Sequence, residues 1–274
     1  MTNLPLKERA KNNISQLNPV LKRLSIQFSL DGFSFCISDS LDKVIELSCH
    51  NFTETKRSPK LILDKIQEIF KQEKSLHDDF ESVSLIHQNN LNTLVPNAFF
   101  NEKHLKDYLK FSVSIMETDL VVFDTLDFID SKNVYIPYVN VNNFLFQNFG
   151  EFEYKHHASI LIEKLVKISD SKLYFCLNIS PSMFDAVVIK GEKLLFFNIF
   201  EYQTKEDFIY YILFTLKQLE LSTKDTKFLV LGQIEKNSDL FKILGRYLSK
   251  ISFLDFKNPI LDNQKDISKH LNFI

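Results

Sequence analysis

The sequence lacks tryptophan and has only five glycines and three cysteines in 274 residues. Cys36, Cys49 and Cys176 are widely spaced and odd in number, with no CxxC or Cys/His pattern nearby. Such spacing does not suit a zinc site or a disulfide framework. Each cysteine lies in an apolar run typical of a strand, where a free cysteine behaves as a small hydrophobic residue. The cysteine usage therefore predicts a reduced, cytoplasmic protein.

An excess of charge of one sign is also missing, since 33 Lys and Arg face 35 Asp and Glu, a net charge of −2. Domains that neutralise phosphates are usually strongly basic. The longest apolar runs, such as residues 209–214, are far shorter than the roughly 20 residues that span a bilayer. Residues 1–16 contain no apolar core of a secretory signal. The sequence predicts no nucleic-acid partner and no membrane span.

Four common fingerprints are absent as well, namely GxxxxGK[ST], GxSxG, HExxH and GxGxxG. Their absence disfavours the chemistries that they mark. What the sequence has is apolar material: hydrophobic residues make up 45%, and 27 residues are Phe. A chain of this length and composition can bury a sizeable core and form two domains.

The two halves of the sequence repeat one order of elements, β-β-β-α-β-α-β. Strand-like runs at 24–30, 33–38 and 43–49 precede a helical pattern at 59–74, and runs at 172–178, 185–189 and 193–200 precede one at 205–220. "VSLIHQ" begins at 83 and "FLVLGQ" at 228, in matching positions. The rest of the first half predicts strands at 82–87, 119–128 and 133–137 and helices at 101–111, 142–149 and 157–168. The predicted fold class is α/β with mixed sheets, because a three-strand meander precedes the alternating helices and strands. We expect an N-terminal extension at 1–20, a first lobe at 21–168 and a second at 169–274.

"LSIQFSLDGFSFCISD" at 24–39, "NTLVPNAFF" at 92–100 and the duplicated plan resemble a bacterial family of unknown function with an actin-like ATPase, ribonuclease H-like fold. The resemblance covers roughly residues 20–260. More distantly, the plan is similar to pilus-assembly and cell-division proteins of the actin superfamily. That resemblance implies ATP and protein contacts as the ligands to test.

Actin-like ATPases carry an acidic D-x-G-[ST]-like turn between the first two strands of each half, and a Gly-Gly pair near the adenosine. The resemblance therefore assigns a nucleotide cleft to six positions of this chain: Asp31, Gly32, Ser34, Asn178, Ser180 and Gly232. Leu30 stands where the first Asp is expected, and Asn178 replaces the second. Pro181 has no N–H to offer a phosphate. The acidic groups that hydrolysis needs are missing from both turns.

Asp31-Gly32 also favours a type I′ hairpin turn on its own account, and we prefer that interpretation to a catalytic loop. The sequence thus predicts a non-catalytic actin-like binding or scaffold protein, without a cofactor, that holds an unidentified protein partner. The alternative is a weak ATP-binding protein or slow Mg²⁺-dependent ATPase, with Asp31, Gly32 and Gly232 in the cleft.

Three further segments have polar or aromatic clusters. His156-His157 predicts a solvated helix start, because adjacent histidines on a helix point in different directions. Asp119, Asp124, Asp127 and Asp130 are interpreted as polar positions of a strand, with a Mg²⁺ or acid–base site as the alternative. The aromatic residues of 142–154 are expected to pack between the halves, and the loop 92–100 to contact a partner.

Overall fold

The computed structural model describes residues 21–52 and 58–254. Its strands are β1 (Lys22–Phe28), β2 (Gly32–Asp39), β3 (Val44–Asn51), β4 (Ser82–His87), β5 (Asn92–Pro96), β6 (Val122–Leu126), β7 (Ser131–Tyr135), β8 (Glu153–His156), β9 (Leu173–Ile179), β10 (Met183–Lys190), β11 (Lys193–Glu201), β12 (Lys227–Gly232) and β13 (Ile251–Phe253). Its α-helices are α1 (Pro59–Gln72), α2 (Leu105–Leu109), α3 (Val139–Phe149), α4 (His157–Ile168), α5 (Lys205–Gln218) and α6 (Asp239–Tyr247).

Two five-stranded sheets share one strand order, and each is built from one half of the sequence. The first has the order β3-β2-β1-β4-β8 and the second the order β11-β10-β9-β12-β13. In each, the first three strands of the half pair antiparallel, and the remaining two add in parallel. The prediction of a mixed α/β fold with a repeated sheet is confirmed.

Each sheet is covered on one face by the helix that follows its third strand. Ser58 begins α1 by accepting a hydrogen bond from the Leu61 N–H, with Pro59 at the first helical position. A capping box of Thr204 and Asp207 begins α5. The apolar faces of these helices pack on alternate residues of the central strands, such as Ile26 in β1. Burial of each such side chain contributes about 1.5–3 kcal/mol.

A three-stranded sheet, with the order β5-β7-β6, is inserted between β4 and β8. Two of its strands coincide with predicted strands at 119–128 and 133–137, which were expected to belong to the first half's main sheet. That placement is wrong, because the fifth strand of the main sheet is β8. β8 has only four residues, and β5 lies in an Asn-rich segment that was predicted as a loop. Neither has a run long enough for strand periodicity to show.

The aromatic residues of 142–154 pack within the first half rather than between the halves, so that prediction is wrong. The Phe70 ring of α1 lies 5.0 Å from Phe144 and 5.7 Å from Phe149, measured between centroids. Phe149 also contacts Phe80 at 6.0 Å. These edge-on and tilted pairs join α3 to α1, whereas Phe146, on the same helix, remains 58% exposed.

Helix α4 lies between the two main sheets and contacts both. Its core residues are all buried: Ile160, Leu161, Ile162, Leu165 and Val166. They pack against Ile86 of β4 and against Cys176 and Val187 of β9 and β10. A helix that is apolar around most of its circumference needs partners on more than one side. Helix α4 therefore joins the two halves through a common core.

Candidate functional site

The first hairpin turn has Leu30 and Asp31 at its centre, between β1 and β2. The Ser29 N–H donates to the Gly32 carbonyl oxygen at 2.9 Å. A type I′ turn needs positive φ at both central residues, but Leu30, Asp31 and Gly32 all have negative φ. The predicted type I′ turn at Asp31-Gly32 is therefore wrong. Gly32 is required for space, because a Cβ there would lie 2.6 Å from the His50 carbonyl oxygen.

Asp31 reaches from this turn to the second hairpin. Its side chain is buried, with the residue 2% exposed. The Ser182 hydroxyl donates to the Asp31 Oδ2 at 2.6 Å, and the Asp31 N–H donates to the Ser29 Oγ at 3.0 Å. A hydroxyl-to-carboxylate bond of this length is charge-assisted and strong. Asp31 thus joins the two turns that the sequence assigned to a nucleotide cleft.

A second connection between the halves runs through glutamine side chains. Gln27 of β1 donates to the Gln88 Oε1 at 2.9 Å, and the Gln88 Nε2 donates to the Ser180 Oγ at 2.7 Å. Gln27, Gln88 and Ser180 are all buried. Buried amides need partners, and here each supplies one for its neighbour. The Ser180 hydroxyl is consequently bonded to protein in the position where the resemblance expects a phosphate contact.

Asn178 and Gly232 meet at the end of the second sheet. The Asn178 Nδ2 donates to the Asp185 Oδ2 at 2.7 Å. Gly232 has φ +86°, and a Cβ there would overlap the Ile179 carbonyl oxygen and the Asn178 Oδ1. The end of β12 can therefore pass this close to β9 only with glycine at position 232. That close approach is a packing requirement of the second half.

A small cavity lies beside the first hairpin turn. Gly32 and Ser34 line a cavity of about 20 Å³, together with Gln88 and Gln233. Ligand sites usually have about 300–1,000 Å³, so this volume holds a single water molecule at most. Five of the six predicted positions lie at the facing strand ends and turns: Asp31, Gly32, Asn178, Ser180 and Gly232. The sixth, Ser34, is the third residue of β2. In this arrangement the Asp31 carboxylate and the Ser182 hydroxyl bond to each other, and the Ser180 hydroxyl accepts from Gln88.

Gln27, Gln88 and Ser182 were missed as site residues. A signal for Gln88 was nevertheless present, because "VSLIHQ" and "FLVLGQ" both end in Gln. The Gln88 N–H donates to the Phe28 carbonyl at 3.0 Å, and the Gln233 N–H donates to the Ile179 carbonyl at 2.6 Å. Phe28 ends β1 and Ile179 ends β9. The repeated glutamines therefore follow equivalent parallel strands and turn toward equivalent strand ends.

His156 and His157 are both fully buried, so the prediction of a solvated helix start is wrong. The His157 Nε2 lies 2.9 Å from the Asp185 Oδ1 of the second sheet. The His156 N–H donates to the Asp124 Oδ2 at 2.9 Å. Burial lowers the pKa of His156 well below its usual value, and the neighbouring histidines His157 and His87 lower it further. The start of α4 thus bonds to β6 on one side and to β10 on the other.

Asp124 is the buried member of the four aspartates predicted as polar strand positions. Its carboxylate accepts hydrogen bonds from the Ser159 hydroxyl at 2.5 Å and from the Tyr135 hydroxyl at 3.2 Å. Burial raises its pKa, while the bonds from Ser159, His156 and Tyr135 act in the opposite direction. Within residues 21–52 and 58–254, no group of three or more His, Cys, Asp or Glu side chains is arranged to hold a metal ion.

The strand order and the pair of facing hairpins define an actin-like ATPase fold. A crystal structure from Bacteroides thetaiotaomicron VPI-5482, described as having an actin-like ATPase fold and unknown function, is similar with a TM-score of 0.78. It is 21% identical and covers 94% of this chain and 98% of its own. The PilM–PilN type IV pilus biogenesis complex matches with a TM-score of 0.52 at 12% identity, covering 86% of this chain and 89% of that one.

The chain belongs to the family described as "Protein of unknown function (DUF3822)", whose model matches residues 11–251. The resemblance drawn from the sequence is confirmed by this match and by the fold. No curated protein matches the chain. Among the helices that the structure describes, none has the length and apolar character to cross a membrane.

Proposed function

We propose that this protein is a non-catalytic actin-like binding or scaffold protein, whose two hairpin turns bond to each other instead of to a nucleotide. The hydrogen bond between Asp31 and Ser182 is the observation that supports this most directly. A phosphate between the turns needs N–H and hydroxyl donors, and Mg²⁺ needs carboxylates. Here the Ser182 hydroxyl and the Asp31 carboxylate are already partners of each other.

A protein partner fits the end of the inserted three-stranded sheet. The 3₁₀ turns 97–99 and 127–129 lie side by side there, because the Asn97 N–H donates to the Asp130 carbonyl at 3.0 Å. Phe99 and Phe128 on these turns are 76% and 53% exposed. Exposed aromatic side chains of this size are enriched where proteins bind one another. PilM, a distant structural neighbour, is seen in complex with PilN.

Calorimetric titration of the full chain with ATP, with and without Mg²⁺, tests the first part. We expect no heat of binding up to millimolar nucleotide. One site of micromolar affinity would contradict the proposal and support the alternative of a weak ATP-binding protein. In that case Asp31→Ala should abolish binding at an unchanged melting temperature, whereas the proposal expects this variant to lose stability.

The partner surface is tested by the double variant Phe99→Ser/Phe128→Ser. A partner protein that is captured by the unaltered chain in a pull-down should not be captured by this variant. Phe214→Ser is the matched control, because Phe214 is 45% exposed on α5 in the other half. Equal loss with Phe214→Ser, or full binding by the double variant, would place the partner elsewhere.

A further inference from the structure

A second and much larger cavity lies beside the joined hairpins. It has about 580 Å³ and opens between the two halves on the side of α5. This volume falls within the range of small-ligand sites. The side chains that give it its chemical character are Asn90, Tyr138, Glu201, Tyr202, Asp207 and Tyr211.

The cavity is lined with negative charge. Glu201 ends β11 and is exposed, and its Oε1 accepts a hydrogen bond from the Asn90 Nδ2 at 2.6 Å. Asp207 lies in the first turn of α5 and accepts from the backbone N–H groups of Gln203 and Thr204. Those bonds lower the pKa of Asp207, so its carboxylate is ionised at neutral pH. Among the described residues that line the cavity, none is Lys, Arg or His.

Tyrosines form the inner wall. Tyr138 is buried, and Tyr202 and Tyr211 are partly buried. Burial, with Asp31 as a second cause, raises the pKa of Tyr202 to about 12 and also raises that of Tyr138. Both phenols are therefore neutral at physiological pH. Neutral aromatic rings attract cations through their π faces, and carboxylates attract the same ligands as hydrogen-bonding anions.

We propose that this cavity binds an organic cation, an alkylammonium or guanidinium group. Carboxylates at the mouth and phenols inside form a site that selects positive charge and also accepts an apolar stem. The cation has two sources with the same chemistry, a free polyamine or a Lys or Arg side chain of a bound protein. Leu30 of the first hairpin turn and Ser182 of the second border this cavity, so the proposal rests on these turns bonding to each other rather than to a nucleotide.

The full chain would be titrated calorimetrically at low salt with spermidine and, separately, with N-acetyl-L-arginine amide. We expect at least one probe to bind at a single site with a Kd of about 1 mM or tighter. Glu201→Gln should weaken binding about ten-fold, because it removes one charge-assisted contact. Glu192→Gln is the matched control, since Glu192 is an exposed carboxylate in the β10–β11 turn. It should leave the Kd unchanged.

Gln203→Glu provides a variant with a gain of function. Gln203 is exposed and lines the cavity, so an added carboxylate should tighten binding while leaving the fold intact. Tighter binding of spermidine would identify the free polyamine, and tighter binding of the arginine amide would identify a partner's side chain. Binding of neither probe, or equal weakening by Glu192→Gln and Glu201→Gln, would overturn the proposal.

Discussion

Asp31 and Ser182 are 151 positions apart in the sequence, and yet their side chains form a 2.6 Å hydrogen bond. Each lies at the tip of a hairpin, and the two hairpins belong to different sheets. The bond therefore joins the two halves of the molecule directly. Its removal should be measurable as a change in stability.

Ser182→Ala removes the donor and leaves a buried carboxylate with one bond fewer. We expect a loss of about 1–3 kcal/mol in the free energy of unfolding, the usual cost of depriving a buried charged group of a partner. Urea unfolding measures it. Ser114→Ala is the control, because Ser114 is exposed and its replacement should change stability by no more than about 0.5 kcal/mol. Equal values for the two variants would contradict the inter-hairpin bond.

Gly232→Ala should be much more damaging than Gly191→Ala. Both glycines have positive φ, +86° and +59°, so both substitutions carry backbone strain of about 1–2 kcal/mol. Only at Gly232 would the added Cβ also overlap the backbone of β9, whereas at Gly191 the nearest atom is 3.9 Å away. Thermal unfolding should show the Gly232 variant less stable than the Gly191 variant by at least about 2 kcal/mol. Similar melting temperatures would show that the end of β12 has room to move.

His157→Gln should destabilise the protein strongly. The His157 and Asp185 side chains are 0% and 3% exposed, and their contact joins α4 to the second sheet. Removal of the imidazole deprives the buried Asp185 carboxyl group of a hydrogen-bond partner, which costs about 1–3 kcal/mol or more. Chemical denaturation measures the loss. The double variant His157→Leu/Asp185→Leu should recover part of it, and no recovery would mean that the pair is not the cause.

Stability should fall in mild acid because of two buried histidines. Burial lowers the pKa of His87 to about 3, and that of His156 also lies well below 6.5. Both stay neutral in the folded chain, while the unfolded chain takes up protons below pH 6.5. The unfolded state then binds more protons, so stability is lost as the pH drops, by up to about 1.4 kcal/mol per pH unit for each histidine. For His87 this window runs from pH 6.5 down to about 3.

Melting temperature against pH, measured for variants, separates this effect from other titrations. His87→Gln keeps an acceptor for the Tyr138 N–H, which donates to the His87 Nδ1 at 3.2 Å. This variant should reduce the loss of stability per pH unit by the contribution of one histidine, up to about 1.4 kcal/mol. Asp124, with its raised pKa, acts in the opposite direction in both proteins and cancels in the comparison. An unchanged slope in His87→Gln would argue against the burial of His87 as the cause.

Long elements with strong periodicity could be predicted from the sequence. Helix α4 was expected at 157–168 and β4 at 82–87, and both have these bounds in the structure. β5 and β8 were missed because four or five residues give too few repeats for a period to be recognised. The main sheet of the first half was therefore assigned the wrong fifth strand. The order of elements still identified the fold, since the second half has no insertion between its parallel strands.

The candidate site was harder to predict than the fold. The sequence located both hairpins, but Leu30, Asp31 and Gly32 do not show which residues are central in the turn. Nor does a sequence show what faces a side chain across 151 positions, which is why Asp31 was assigned to a turn or a nucleotide. His156-His157 was misjudged for the same reason: a polar pair at a helix start is usually solvated, and only the packing of two sheets around α4 buries it.

The central position of α4 has a consequence for motion. A wider opening between the two hairpins would require the two sheets to move apart. Helix α4 packs on both of them, and such a movement would pull one sheet away from side chains that are 0–4% exposed. Each apolar side chain uncovered would cost about 1.5–3 kcal/mol, and the His157–Asp185 pair would separate as well. The core around α4 therefore opposes any separation of the two halves, and its disruption would be the main energetic cost of such a motion.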